Sequence, residues 1–331
     1  MSWKLLSKYR SELMGFACLW VMLHHNHFDW PNALEPLERF ALYGNLGVDI
    51  FFLLSGVGLY FAWQRRPGLS GFYARRFLRL LVPYVLLAVP YWAWRDLYLG
   101  GGDFLLDVTQ LSLPLQGVIT TWYIPAIALF YLCYPLIARF FSSGDRWTRC
   151  VVLCGGVMLL CLHLYYGQST IYENCEIALT RSVIFLIGCA LGKSVADEEP
   201  IAAHLPALAV LWILLNGIFR RHVSPGDVWL RFSYVPLCLS VCLVLCWILE
   251  RCGGLHKLLR FFGDRSLELY LTHVLIGSVF RFYVPTRQWD RWGIGTYAVI
   301  LLLSMIVSIL FHPINAKLCK ILLRSLRKES V

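Results

Sequence analysis

The sequence predicts an all-α protein, a polytopic membrane helix bundle of about ten transmembrane helices with both termini cytoplasmic. Two features of composition carry the first half of that statement. The chain is 58 % hydrophobic and only 15 % charged, whereas soluble domains carry roughly 25 % charged residues. Apolar runs of about twenty residues, the length needed to cross a bilayer as a helix, recur along the whole chain. The charge distribution carries the second half, because it fixes which loops face inward.

The runs fall at 13–31, 43–63, 78–99, 120–141, 149–166, 178–195, 201–219, 228–249, 266–284 and 293–312. With a cytoplasmic N-terminus, and span-end residues counted with the nearer side, 21 of the 30 lysines and arginines lie on inner segments and 9 on outer ones. That asymmetry is the positive-inside pattern. The net charge of +10 therefore orients a membrane protein, and no nucleic-acid footprint is visible. The first run begins near Leu13 without a small-residue cleavage site and reads as a retained helix. Residues 1–12 mix Trp3, Leu5, Leu6 and Tyr9 with Lys4, Lys8 and Arg10, as a short interfacial helix does. The basic tail 313–331 has the same character. No linker interrupts the chain, so 1–331 reads as one membrane domain in the cell membrane.

Nine of the 12 cysteines lie inside spans, and the set forms no compact framework. Cys238, Cys242 and Cys246 repeat at helical spacing, and no C-x-x-C pair occurs. They read as small apolar side chains, with no support for a zinc or redox site. Trp30, Trp92, Trp94, Trp122, Trp289 and Trp292 stand at or near span ends, as an aromatic belt requires.

Ionisable residues inside spans cost a few kcal/mol each unless paired or wet, and so are functional candidates. "LWVMLHHNHFDW" (Leu19–Trp30) supplies His24, His25 and His27. His24 and His27 share a helix face and Asp29 follows, which raises a metal site. No further set has ligand spacing, and His24 and His25 diverge by about 100° on a helix. His25 lies about 4–5 Å outside the midplane of the first span, and Asp49 about 6 Å outside that of the second. A histidine and a carboxylate at similar depth on consecutive spans can form an oriented general base. They can equally form a helix–helix hydrogen bond with no catalytic part, and spacing alone leaves both open.

Arg75, Arg76 and Arg79 stand where the third span enters from the cytoplasm. Interfacial anchoring by snorkelling explains them. So does a phosphate clamp, since guanidinium forks bind oxyanions bidentately.

Five blocks then occur in order: "ELMGFACLWVMLHH" (Glu12–His25), "GNLGVDIFFLLSGVGLYFAW" (Gly44–Trp63), "FYARRFLRLLVPY" (Phe72–Tyr84), "TWYIPAIALFYLCYPLI" (Thr121–Ile137) and "FGDRSLELYLTHVLI" (Phe262–Ile276). Together, over about 10–312, they resemble the acyltransferase-3 family of membrane acyltransferases. The resemblance implies a ten-helix fold moving acyl groups, commonly acetyl, from an acyl-coenzyme A to cell-surface glycans, lipids or small molecules. The family's first-span histidine maps onto His25. The basic residue eleven positions earlier falls on Met14, a departure, and Arg10 and Arg181 are the candidates to replace it. The R-x-x-R element maps onto Arg76 and Arg79, which favours the phosphate clamp, and the long pantetheine arm then calls for a polar tunnel open to the cytoplasm. Asp49, Ser55, Trp122, Tyr123 and His273 also match. Acyl-coenzyme A is expected as donor substrate, with no permanently bound cofactor and no metal. Many members carry an extracytoplasmic hydrolase-like domain, and none follows here as far as Val331. Either the membrane domain completes transfer itself or a separate extracytoplasmic transferase does; a homo-oligomer is the other partner expected. The rival readings are a transporter or flippase for a glycan or lipid intermediate, which leaves the arginine cluster without a purpose, and a catalytically lapsed member of the family.

Overall fold

A computed structural model describes residues 1–25, 34–65, 68–224, 226–284 and 293–328, with side chains to residue 326. His27, Asp29, Trp30, Arg66, Trp289 and Trp292 lie outside the described residues.

The described chain is helical almost throughout. In order come α1 (Lys4–Lys8), α2 (Arg10–His24), α3 (Glu35–Leu42), α4 (Leu46–Arg65) and α5 (Leu69–Trp92), the last followed by a π-helical turn at Ala93–Tyr98. Next are α6 (Phe104–Val108), α7 (Ser112–Gln116), α8 (Tyr123–Ser142), α9 (Arg146–Tyr166), α10 (Thr170–Leu179) and α11 (Ser182–Ala196). The chain closes with α12 (Leu205–Phe219), α13 (Val228–Arg251), α14 (His256–Asp264), α15 (Ser266–Tyr283) and α16 (Ile294–Lys328). Among the described residues, seven helical stretches are long and apolar enough to cross a membrane, among them Leu46–Arg65, Thr170–Ala196 and Val228–Arg251. The other three predicted spans fall on α2, α12 and α15. Of these, α12 has 15 residues, short of the roughly 20 that cross hydrocarbon without tilt or thinning. The faces of α9 and α16 are rich in exposed leucine, isoleucine and valine, which lipid rather than water would cover.

Two boundaries differ from the expected ones. The segment 1–12 is two pieces, because the chain turns at Tyr9 between α1 and α2. The tail is not separate from the last span, since α16 runs unbroken through Pro313 to Lys328. Leu318, Ile321, Leu322 and Leu326 among strong helix formers keep the helix going once past the proline.

The helices group into two compact units, each assembled from discontinuous segments. The first comprises Met1–Ala17, Leu46–Gly68 and Phe130–Asp264. Its centre is the pair α4 and α11, which run parallel. A Cβ on Gly56 would come within 2.6 Å of the Phe185 carbonyl oxygen, and one on Gly188 within 2.2 Å of that of Leu53. Only glycine permits so close a backbone approach. Phe130 stacks on Phe185 at 4.4 Å and meets Phe52 edge-on at 5.1 Å. Cys150, Cys154 and Cys161 are buried with Val183, Leu186 and Ala190, and all 12 cysteines are free thiols.

The start of α2 crosses α14 with the same economy, Gly15 lying against the Leu259 carbonyl and Gly263 against that of Ser11. Beside this crossing the buried Glu12 carboxylate accepts from Arg260 at 2.6 Å and from His256 Nδ1 at 3.2 Å. Burial raises the Glu12 pKa, but the hydrogen bonds, that from Arg260 foremost, outweigh it and hold the group below its ordinary value. A carboxyl whose folded pKa is depressed stabilises the fold above its unfolded pKa, and that contribution is lost as pH falls through the folded value. We expect thermal stability in detergent to fall below about pH 4.3, the ordinary glutamate value, and Glu12→Gln to flatten that acid limb. An unchanged acid limb in Glu12→Gln would remove Glu12 from this role.

The second unit comprises Cys18–Asn45, Leu69–Leu129 and Arg265–Val331. Here α5, α15 and α16 pack on one another. Pro83 and Pro90 lie inside α5, and the π turn follows directly, a common response where the i→i−4 ladder is broken. The Tyr84 hydroxyl donates to the Val108 carbonyl at 2.8 Å and accepts from Gln110 Nε2 at 2.7 Å. Thr121 in turn donates to Gln110 Oε1 at 2.7 Å. This chain of bonds fixes the segment that leads into Trp122 and Tyr123. Arg95 is held by Asp96 at 2.6 Å and by Asp107, over the ring of Trp92.

Candidate functional site

The second unit holds His25 and His273. His25 follows the last residue of α2, with its N–H donated to the Val21 carbonyl at 3.0 Å. The end of α2 is fastened twice. Tyr297 on α16 donates its hydroxyl to the Met22 carbonyl, and His24 Nδ1 donates to the Ala41 carbonyl of α3 at 3.0 Å. A carbonyl can only accept, so His24 is spent on anchoring. His25 instead turns toward α15.

His25 Nδ1 lies 2.8 Å from His273 Nε2, with the rings stacked at 5.1 Å. His273 is buried on α15, 5 % exposed, and its Nδ1 lies 2.8 Å from the Leu269 carbonyl one turn back. These two contacts settle the tautomers of the neutral pair by elimination. The Leu269 oxygen requires a proton on His273 Nδ1, which leaves a lone pair on His273 Nε2. That nitrogen must then accept from His25 Nδ1–H, so the basic lone pair of His25 is on Nε2. The arrangement is a two-histidine relay ending on a carbonyl, with its basic nitrogen at the outer end.

Tyr270, three residues before His273, meets the His273 ring edge-on at 6.0 Å. Its hydroxyl accepts the Tyr123 N–H at 3.4 Å, and the Tyr123 and Tyr270 rings lie 5.4 Å apart. Trp122, buried, precedes Tyr123. His25, His273, Tyr123 and Trp122 thus belong to one neighbourhood, joined through Tyr270. Tyr270 was absent from the sequence-derived set, although its one-turn spacing from His273 marks it as a same-face neighbour.

Arg75, Arg76 and Arg79 occupy the first half of α5. Arg75 and Arg76 are half-buried and Arg79 is exposed. Arg79 lies close enough to Cys319 on α16 to act on its thiol electrostatically, and the same thiol donates to the Leu78 carbonyl at 3.5 Å. The buried Glu268 on α15, which accepts from Asn315 at 2.8 Å and lies 3.2 Å from His312 Nδ1, also acts on Cys319.

Asp49 and Ser55, both buried, belong to the first unit, on α4. Similar depth on consecutive spans makes Asp49 a candidate to orient His25. The partner found on His25 Nδ1 is His273, and the partner found on Asp49 is Arg181, with Arg181 Nε 3.3 Å from its carboxylate. Arg181 stands between α10 and α11, 3 % exposed, and also donates to the Ile177 carbonyl at 2.8 Å. A second pair, Arg231 with Glu176 at 2.7 Å, lies in the same unit. Of the two arginines considered as substitutes for the basic group missing at Met14, Arg181 therefore neutralises Asp49, while the Arg10 guanidinium lies over Gly58 of α4. Among the described residues no group of three or more His, Cys, Asp or Glu side chains converges as a metal site would.

A family model described as an acyltransferase domain matches residues 13–312. A Bacillus subtilis (strain 168) protein named as a peptidoglycan O-acetyltransferase is 25 % identical over 317 residues, covering 79 % of this chain and 47 % of the relative. This chain therefore spans about half the length of that relative. An acyltransferase of Streptomyces mycarofaciens is 22 % identical over 357 residues, covering 94 % of this chain and 91 % of the relative. No solved structure matches. With the family model spanning nearly the whole chain and an apolar helix bundle beneath it, the protein belongs to the acyltransferase-3 family of multi-pass membrane acyltransferases.

Proposed function

We propose that the protein is an O-acyltransferase that moves an acyl group, acetyl by our reading, from acyl-coenzyme A to a hydroxyl of a cell-envelope glycan, a lipid-linked sugar or a small molecule. The observation that carries this reading is the His25–His273 relay, with its basic nitrogen on His25 Nε2 at the family's histidine position. The peptidoglycan O-acetyltransferase name of one relative and the acyltransferase name of the other favour transfer over transport.

In this reading His25 Nε2 takes the proton of the acceptor hydroxyl as its oxygen attacks the thioester carbonyl. The positive charge is shared, because the His25 Nδ1 proton can pass to His273 Nε2 while Leu269 continues to accept from His273 Nδ1. The tetrahedral adduct expels the coenzyme A thiolate, which recovers a proton from the imidazolium, so the relay returns to its starting state. Tyr123 and Trp122, joined to this pair through Tyr270, are proposed to contact substrate. Asp49 and Ser55 belong to the first unit, where Asp49 is the anion that pairs with Arg181.

Both termini are assigned to the cytoplasm by the positive-inside pattern, which puts Arg75, Arg76 and Arg79 at the inner boundary. There they are proposed to hold the phosphates of the donor, which arrives as a substrate and not as a resident cofactor. Arg76→Ala and Arg79→Ala are each expected to weaken acetyl-coenzyme A binding by about 1.5–3 kcal/mol, the range for hydrogen bonds to charged groups. The loss should be smaller for a donor lacking the ribose phosphate if an arginine contacts that group. Binding isotherms on purified protein in detergent test this, and unchanged affinity in both variants would return the arginines to interfacial anchoring.

A further inference from the structure

The end of the second unit that the positive-inside pattern assigns to the cytoplasm holds more cations than the three arginines of α5. Past Pro313, α16 carries Lys317, Lys320 and Arg324, all exposed. Among the described residues none of these three makes an ion pair or a hydrogen bond through its side chain. Neither α5 nor α16 contains an aspartate or glutamate, so no acid on these helices neutralises the set.

Helix directions place the two groups of cations side by side. Just past α5, Trp94 lies 5.8 Å from the rings of Phe282 and Tyr283, so α5 runs with α15. Asn315 of α16 donates to Glu268 at 2.8 Å, and the Thr272 hydroxyl donates to the Ser304 carbonyl at 3.3 Å, so α16 runs against both. The Cys319 thiol, donating to the Leu78 carbonyl at 3.5 Å, marks where α5 and α16 touch, and Arg79 acts on the same thiol. In an antiparallel pair, equal turns of the same sense from such a contact lead to the same side of the seam. At about 100° per residue, Arg75, Arg79 and Arg76 lie about 60–160° from Leu78, and Lys320, Arg324 and Lys317 about 100–160° from Cys319. The six cations therefore share one side of the seam. They span about 11 Å along the helix axes, at about 1.5 Å per residue.

We propose that the cytoplasmic end of α16 supplies half of an anion site, with Lys320 and Arg324 joining Arg75, Arg76 and Arg79 on the phosphates of the coenzyme A donor. This deepens the reading above and rests on it. The diphosphate and ribose phosphate of that donor together carry about 3.5–4 negative charges, of which the monoester supplies about 1.5–2. Three arginines fall short of that charge, and Lys320 and Arg324 make up the difference. Basic residues at a membrane boundary also snorkel to lipid headgroups, but they then border the lipid-facing surface. On α16 the exposed Ile314, Ile321, Leu322 and Leu326 lie about 200–340° from Cys319, and that apolar arc is the one lipid covers. The cations stand off it, beside α5.

The test is binding to the full-length protein in nonionic detergent, with coenzyme A and adenosine 3′,5′-bisphosphate as probes. Removing both charges, Lys320→Gln with Arg324→Gln, is expected to weaken both probes about tenfold, as loss of two exposed charge pairs does, at an unchanged unfolding midpoint. Each single variant should lose about threefold, which keeps the test open if the double variant unfolds early. The charge-keeping pair Lys320→Arg with Arg324→Lys should bind nearly as wild-type protein does. Lys193→Gln with Lys257→Gln removes two cations of the first unit and should leave affinity unchanged. Wild-type affinity in the Lys320→Gln, Arg324→Gln protein, or an equal loss in the first-unit control, would overturn the assignment. Phosphatidylglycerol added to the micelles separates the two sources of phosphate. If the double variant keeps its nucleotide affinity but loses stabilisation by that lipid, the stripe belongs to headgroups. A wild-type protein that binds neither probe sinks the donor reading and this proposal with it. Binding that depends on Arg76 and Arg79 but not on Lys320 and Arg324 sinks the proposal alone.

Discussion

His25→Ala is expected to lower acyl transfer by about 10²-fold or more, the usual contribution of a positioned general base, with little change in donor affinity. The direction follows from the tautomers: in the neutral pair the basic lone pair of His25 is on Nε2, while His273 Nε2 accepts from His25 Nδ1–H. His24→Ala should behave differently. His24 gives its Nδ1 proton to the Ala41 carbonyl, so its loss removes one hydrogen bond worth about 0.5–1.5 kcal/mol of stability and leaves the base in place. His273→Ala removes the acceptor for His25 Nδ1–H and the second seat for the positive charge, and should lie between the two. Turnover of the three variants at matched protein, with unfolding midpoints as a control, checks the order. Loss of activity in His24→Ala with full activity in His25→Ala would reverse the assignment.

Asp49→Asn is expected to be the most destabilising of the site substitutions, by about 3–5 kcal/mol. Removing one member of a buried ion pair leaves the other as an uncompensated charge, and here the survivor would be Arg181, 3 % exposed within an apolar helical stretch. The effect is a property of the pair, so adding Arg181→Met to Asp49→Asn should recover much of the lost stability, because replacing both partners removes the orphaned cation. Unfolding midpoints of the two single variants and the double variant make the cycle. If Asp49→Asn folds as well as wild-type protein, the pairing is not a pillar of the first unit, and Asp49 acts only through the chemistry.

The difference between these two residues shows which parts of the site were legible in the sequence. The apolar runs are dictated by the length of hydrocarbon to be crossed, and among the described residues seven helical stretches are long and apolar enough for it. His25 was singled out by its register in the first block and by its depth. Its partner was harder to read. His273 is 248 residues away, and the pairing rule that consecutive spans are neighbours pointed instead to Asp49. The bond between Asp49 and Arg181 was hidden for a related reason. It depends on the glycine contacts that bring α4 and α11 together in parallel, with Asp49 and Arg181 at the same end, and neither Gly56 nor Gly188 announces its partner in a linear pattern. The C-terminal tail reads as separate from the last span because it is basic, whereas its apolar residues repeat at helical spacing and carry α16 on to Lys328.

Membranes carrying the protein, incubated with radiolabelled acetyl-coenzyme A and fractionated for labelled product, show whether acyl transfer from coenzyme A depends on His25. Label is expected in an envelope glycan, lipid or small-molecule fraction with wild-type protein, with a loss of about 10²-fold or more in His25→Ala at equal expression. Equal labelling by the wild-type and His25→Ala proteins would contradict it.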